Sequence, residues 1–353
     1  MKNIRHTLKA LRQKIKRHPA LLGLIRWSKR HSLPGFFKVP IYDVLVFTVR
    51  EIRQFDLFVR ANSAAFSFFL SLFPSIMVLF TLLPYLKQYF LKYLPQGENF
   101  DQYLQEEIGN IMPGIAGDRL FNFIEDITSN PRVGLLSVGF FMAIFFSSNG
   151  MIMLMRGFSK SYSTTFKNRH PLRKRLIAIW LTFSIGFLLV IAIILMILGD
   201  FGINRLNDLV ELDRLTAFLL NFLRWLIILA LYYFGIAAIH RFGAATRRKF
   251  KMFTPGAALA TTLCLTTSVL FSSYVNNFNT YNELYGSIGT IIVIMLWMQL
   301  NALSILIGYE LNASIAINRD MREQITDEEE QKSEVRSQKS EVRGQKSEVR
   351  SKR

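Results

Sequence analysis

Apolar runs long enough to cross a bilayer recur along this chain, and short charged segments separate them. A hydrocarbon core of about 30 Å needs ~20 apolar helical residues rising 1.5 Å each. Stretches 61–84, 133–155, 176–199, 215–239 and 253–274 meet that requirement, and a sixth lies within 285–315. The sixth is uncharged from Ser287 to Tyr309, but Gln299 and Asn301 interrupt it and Glu310 closes it. Gln299 and Glu310 are roughly three helical turns apart and so share a face. Lipid cannot satisfy such a stripe, so it must turn towards protein or water.

The separating segments alternate in sign. Residues 1–40, 156–175 and 240–251 hold Lys and Arg without an acid. By contrast, 85–132 and 200–214 hold more acids than bases, and 275–284 has Glu283 but no Lys or Arg. Excess Lys and Arg marks cytoplasmic loops. The expected fold is all-α: a polytopic membrane protein with six transmembrane helices and both termini in the cytoplasm.

Three regions follow. Residues 1–60 form a basic N-terminal segment, in which 41–60 reads as an amphipathic helix at the membrane surface. Residues 61–315 form the membrane domain, with an outer loop at 85–132 that predicts two short helices. Residues 316–353 form a charged tail built on QKSEVRS-type repeats. Each repeat offers one apolar residue (Val335, Val342, Val349) where a coiled-coil seam needs two, so the tail reads as disordered or nascent-helical.

Composition matters at two points. A net charge of +18 would suggest nucleic acid in a soluble protein, but this chain is 51% hydrophobic and its bases sit in alternate loops. The expected partners are therefore the anionic headgroups of membrane lipids, not nucleic acid. The single cysteine, Cys264, excludes an internal disulfide and a Cys-rich metal site. The five histidines show no metal-ligand spacing, and neither a Walker motif nor a G-x-S-x-G elbow occurs. No cofactor and no enzymatic chemistry is expected.

What remains is a set of polar residues inside the spans. Ser63, Ser67, Ser71 and Ser75 fall at i, i+4 in the first span, which suits either close helix packing or a hydrophilic wall. Gly256, Ala260, Cys264, Ser268 and Ser272 repeat that spacing in the fifth, where packing is the expectation. Helix rise places Arg224 about 13 Å from the outer end, with Asn221 one turn away. Gln299 and Asn301 come at about 18–21 Å and Asn149 at about 22–24 Å. Arg224, Asn221, Gln299, Asn301, Asn149, Ser67 and Ser71 are thus a candidate intramembrane polar site. Arg224 either binds an anionic group there or snorkels to the surface. Glu310 lies at the inner end, where Arg156, Arg60 or Arg241 match its depth, and Arg156 is the partner expected. A structural ion pair and a proton- or cation-coupled role both fit Glu310.

Several motifs carry a resemblance. Tyr285-Gly286-Ser287-Ile288-Gly289, Leu296-Trp297 and Gly308-Tyr309-Glu310-Leu311-Asn312-Ala313 resemble the last span of the YihY/BrkB family of bacterial inner-membrane proteins. Ala64-Ala65-Phe66 through Ser71-Leu72-Phe73-Pro74 resembles the first span of that family, and Pro255-Gly256-Ala257 its fifth. The resemblance covers roughly 40–315 and implies a multi-pass protein of the bacterial inner membrane. The family has carried the label ribonuclease BN. A two-metal nuclease needs clustered carboxylates or histidines, which the basic loops lack. The expected function is a transporter or flippase-like carrier of an anionic amphiphile or lipid. The alternative is a structural or regulatory envelope protein without transport.

Overall fold

The computed structural model describes residues 19–32, 35–37, 39–54, 56–89, 105, 121–122, 125, 133–210, 213–277 and 279–351. Their regular elements are all helical, with one isolated antiparallel bridge between Phe166 and Thr246. Two short helices, α1 (Pro19–Arg30) and α2 (Ile41–Gln54), precede α3 (Leu57–Tyr89), α4 (Val133–Gly157), α5 (Pro171–Val210), α6 (Arg214–Ala238), α7 (Pro255–Asn277) and α8 (Asn279–Ser351). A π-helix, Ile239–Gly243, finishes α6. Each of α3 to α8 contains a stretch long and apolar enough to cross a membrane, as the hydropathy pattern requires. The expectations for residues 1–18, and nearly all of those for the outer loop 85–132, lie outside the described residues.

Several boundaries differ from the sequence reading: α5 stays helical to Val210 through most of the loop expected at 200–214, and α7 and α8 run to Asn277 and from Asn279 where a loop was expected at 275–284. The surface helix stops at Gln54, and residues 57–60 begin the first span instead. The charged repeats continue α8 as helix to Ser351, with exposed side chains from Met321 to Glu334. Pro74 sits inside α3 without ending it.

The six long helices close into a ring in chain order. Each packs on the next from α3 to α8, and α8 returns to α3, while α2 lies on α8. Such an order needs only short connections between antiparallel neighbours. Large apolar side chains such as Phe141, Phe187, Phe218 and Val269 are exposed on the outer faces, the surface that lipid covers. The main core lies towards one end of the ring. There Leu57, Ala61 and Ala64 of α3 meet Met151 and Leu154 of α4, Phe158 just beyond it, and Leu306 and Tyr309 of α8. The basic segments gather at this end, called the basic end below.

Helices α7 and α8 touch backbone to backbone. A Cβ on Gly256 would lie 2.1 Å from the Gly308 carbonyl oxygen, and one on Gly308 would lie 2.3 Å from the Gly256 carbonyl oxygen. The small-residue ridge of α7 continues that contact. Ala260 and Cys264 are fully buried, the Cys264 thiol meets the Asn301 carbonyl at 3.7 Å, and the Trp297 indole donates to Ser268 at 3.2 Å. Small residues allow the close approach that packing in a bilayer requires.

Gly256→Ala should therefore force the helices apart. Overpacking costs about 1–3 kcal/mol, and here the obstacle is backbone, which cannot swing away. The Tm in detergent should drop by several degrees. Gly186→Ala, with nothing within 4 Å of its added Cβ, should hold or raise it. Equal Tm values for the two variants would show that the crossing accommodates a methyl group.

Candidate functional site

The basic end is organised around a buried ionic node. Its ammonium comes from Lys160, in the turn after α4. The Nζ lies 2.7 Å from Glu51 Oε2 of α2 and 2.7 Å from Glu310 Oε2 of α8, and none of the three side chains is more than 3% exposed. The Glu51 contact is also a hydrogen bond, and the Glu310 contact is an ion pair of the same length. Tyr162 donates its hydroxyl to Glu51 Oε1 at 3.2 Å. Burial, and then the neighbouring Glu51 charge, push the Tyr162 phenol above its usual range, so it remains a donor. Arg60 Nη1 donates to the Gly157 carbonyl at 2.9 Å, satisfying an otherwise orphaned acceptor at the end of α4.

The partner of Glu310 is thus Lys160 and not Arg156. Arg156 is exposed on α4, where its Nη1 approaches Met153 Sδ at 3.7 Å. The chain turns back after Met155 through the Phe158 N–H to Met155 and Ser159 N–H to Arg156 bonds, at 3.2 and 3.1 Å. That turn carries Lys160 inward while Arg156 stays on the outer face. Sequence offered a signal for Glu51 but not for Lys160. Ile41, Val44, Thr48 and Glu51 form the buried stripe of α2, so Glu51 is a carboxylate on an otherwise sheltered helix face. Lys160 is one of many cations in its loop.

A neutral network adjoins the ionic node. Tyr309 donates to the Phe158 carbonyl at 2.6 Å, and its ring stacks on Phe158 at 4.1 Å. His240 of the π-helix stands edge-on to both rings. Its Nε2 lies 3.0 Å from the Ile305 carbonyl and therefore carries the hydrogen. Its Nδ1 then accepts from Asn312 Nδ2 at 3.3 Å. Asn312 also donates to Thr254 Oγ1 at 3.0 Å and accepts the Gly256 N–H at 2.9 Å. Arg169 receives the open carbonyls where the π-helix ends. Its Nη1 donates to Phe242 and Gly243 at 2.9 and 3.1 Å and its Nη2 to Ala244. Burial, followed by repulsion from Arg173, draws the Arg169 guanidinium below its usual range.

The intramembrane polar residues have separate settings. Arg224 is buried in the α5–α6 contact, where a Cβ on Gly199 would fall 2.5 Å from its Cδ, and its guanidinium lies 5.7 Å from the Trp225 ring centre. Asn221 is exposed and Gln299 half-buried. Asn301 donates to the Trp297 carbonyl of its own helix at 2.9 Å. Asn149 accepts from Arg175 of α5. Ser67 and Ser71 donate to the Ser63 and Phe68 carbonyls of their own helix, at 2.9 and 2.6 Å.

A cavity of about 600 Å³ opens at the basic end, bounded by Arg248, Lys249, Lys251 and Arg319, by Thr254 and Pro255 at the start of α7, and by Asn312. Arg248 pairs with Glu323 at 2.7 Å, and Arg319 pairs with Asp320 at 2.7 Å. Phe37 lines the cavity with its ring centre 5.9 Å from Lys251 and 5.1 Å from Arg319. Its φ of 50° places a non-glycine residue in the left-handed region, at ~1–2 kcal/mol. Among the described residues no group of three or more His, Cys, Asp or Glu is placed to hold a metal ion.

The ionic node makes a direct prediction. Lys160→Met leaves two buried carboxylates without their cation and should destabilise the fold by about 3–5 kcal/mol. Glu310→Gln in that background should recover part of the loss, and Arg156→Gln alone should leave Tm unchanged. Detergent melting curves of the four proteins decide the matter. A drop for Arg156→Gln equal to that for Lys160→Met would sink the assignment.

Comparison with known proteins places this architecture. The model of the family described as virulence factor BrkB matches residues 48–334. A protein of Bacillus subtilis (strain 168) named as ribonuclease-like, YfkH, is 30% identical over 76% of this chain and 92% of its own length. A UPF0761 membrane protein of Idiomarina loihiensis is 24% identical over 62% of this chain and 72% of its own. Another, of Psychromonas ingrahamii, is 21% identical over 78% and 88%. No solved structure matches the chain. With the matched region enclosing all six membrane-spanning stretches and the node from Glu51 to Glu310, the chain belongs to the BrkB family of integral membrane proteins.

Proposed function

We propose that this protein is a carrier of an anionic amphiphile, transporter or flippase-like, in a bacterial inner membrane. Its basic end and both termini face the cytoplasm, following the distribution of Lys and Arg. The observation that carries the reading is the cavity of about 600 Å³ with its four cations and no acid in its lining. That volume falls within the ~300–1,000 Å³ of small-molecule sites and suits a headgroup. Exposed Phe253 and Phe37 at its edge suit the apolar part of an amphiphile.

An incoming anion would compete with Glu323 and Asp320 for Arg248 and Arg319, whose planar forks match phosphate or carboxylate. The first amides of α7 are already bonded, Gly256 to Asn312 and Ala257 to Thr254, so this helix end contributes its dipole and not free donors. Carriage makes and breaks no covalent bond, so it calls for no catalytic residue or cofactor.

A structural or regulatory envelope protein is the second reading. It is favoured by the Ser67 and Ser71 hydroxyls, which bond to their own helix and need no aqueous wall.

Liposomes separate the two. Reconstituted protein should speed the movement of fluorescent phosphatidylglycerol between leaflets, read by dithionite bleaching. Lys251→Gln/Arg319→Gln should slow it, by roughly fivefold for each surface cation removed if headgroup capture limits the rate. A rate equal to that of protein-free liposomes would leave the structural reading. For orientation, reporter fusions at Lys160, Lys249 and Arg336 should read cytoplasm, and those at Asp118, Asp208 and Asn279 the opposite side. One reversal would refute the placement.

A further inference from the structure

A second basic groove lies between the start of α5 and the loop after the π-helix. It measures about 340 Å³, and Lys167, Arg169, Arg173, Arg247 and Lys249 line it without an acid. Among the described residues none of these five side chains forms an ion pair. Backbone bonds hold them together instead. Phe166 bridges to Thr246, the Lys167 N–H donates to the Ala245 carbonyl at 2.8 Å, and the Arg247 N–H donates to the Thr165 carbonyl at 2.9 Å. Arg247 Nε adds a bond to the Ser163 carbonyl at 2.9 Å, and Arg169 is fixed by its carbonyl cap. Cations gathered this way repel one another and focus a positive field into the groove.

Helix α5 gives the groove a direction. Arg173, Leu176, Ile177 and Trp180 all line it, at i, i+3, i+4 and i+7 on one helix face. Trp180 lies about 10 Å of helix rise beyond Arg173, further from the basic end. Its ring packs edge-on to Phe242 at 4.9 Å and is 50% exposed, and Leu176 is 67% exposed. Charge at the surface, an indole one headgroup deeper and aliphatic groups beside it repeat the depth profile of a phospholipid. Free phosphate would use the cations but leave Leu176 and Trp180 without a role.

We propose that this groove binds an anionic phospholipid from the leaflet at the basic end. Its phosphate sits among Lys167, Arg173 and Arg247, and an acyl chain runs along Leu176 and Trp180. The bound lipid supplies the missing counter-charge and ties the turn before α5 to the loop after the π-helix. The proposal stands whether or not the protein transports anything. Lys249 lines both cavities and is therefore left intact in the test.

The chain has 4 Trp, so replacing Trp27, Trp225 and Trp297 by Phe leaves Trp180 as the reporter. That protein is reconstituted in phosphatidylcholine with a small fraction of brominated phosphatidylglycerol or brominated phosphatidylcholine. Brominated phosphatidylglycerol should quench Trp180 well beyond its mole fraction. The preference should fall roughly fivefold for each cation removed in Arg173→Gln and Arg247→Gln. Arg173→Lys should retain it, and so should Lys251→Gln/Arg319→Gln in the neighbouring cavity. Circular dichroism confirms the fold of each variant. If the Arg173→Gln/Arg247→Gln double variant misfolds, the exposed Arg173→Gln alone carries the test. Equal quenching by the two lipids, or a preference unchanged by Arg173→Gln, overturns the proposal. Loss of preference on adding millimolar glycerol 3-phosphate overturns it too, since that marks a site for soluble phosphate.

Discussion

Lys160 holds Glu51 and Glu310 at 2.7 Å each, with all three side chains out of solvent. Desolvating such ions costs several kcal/mol apiece, and their attraction offsets this only when the geometry is held closely. The arrangement therefore makes demands on everything around it. Helix α2 must lie on α8 in one register so that Glu51 faces inward. The chain must reverse straight after α4 so that Lys160 arrives between them. Tyr162 must fill one Glu51 oxygen and Arg60 must close the end of α4. Moving any of these elements by one turn would strand a buried charge.

Helix α8 transmits that constraint to the rest of the ring. Successive residues on a helix point about 100° apart, so a short motif can address several neighbours at once. Gly308 lets the α7 backbone approach, and Tyr309 reaches Phe158. Glu310 meets Lys160, and Asn312 joins His240, Thr254 and Gly256. Within the stretch that resembles a family signature, Gly308, Tyr309, Glu310 and Asn312 thus form a packing hub. Its recurrence among relatives would bear on fold before it bears on any chemistry.

The spans were legible in the sequence because hydropathy acts over ~20 residues and averages out local detail. The α7 ridge was legible for a related reason: Gly256, Ala260 and Cys264 repeat at helical spacing, and small residues have one strong use inside a bilayer. Partner choice was not. Depth along a helix fixes one coordinate, and Arg156 and Lys160 differ little in depth. What separates them is the turn at Phe158 and Ser159, which depends on tertiary packing around Tyr309. Depth alone likewise does not say which of the intramembrane polar residues meet. Equal depth placed Arg224 and Gln299 in one layer, but a ring of six helices has many faces per layer. Arg224 lies at the α5–α6 contact, whereas α8 packs on α7 and α3.

The cations of the basic end divide by what balances them. Lys160 is neutralised by buried carboxylates, and Arg169 is occupied by the carbonyls that end the π-helix. Arg248 and Arg319 hold exposed or half-buried acids on α8, which a stronger anion could displace. Lys167, Arg173 and Arg247 have no carboxylate at all among the described residues. A charge matched inside the protein fixes the fold and has little attraction left for a ligand. A charge matched weakly, or by nothing internal, leaves a field that extends outward over about one Debye length. At the edge of a bilayer that distance reaches the phosphates of the nearest lipids. On the proposed placement of the basic end at an anionic leaflet, these cations would draw such lipids towards the ring.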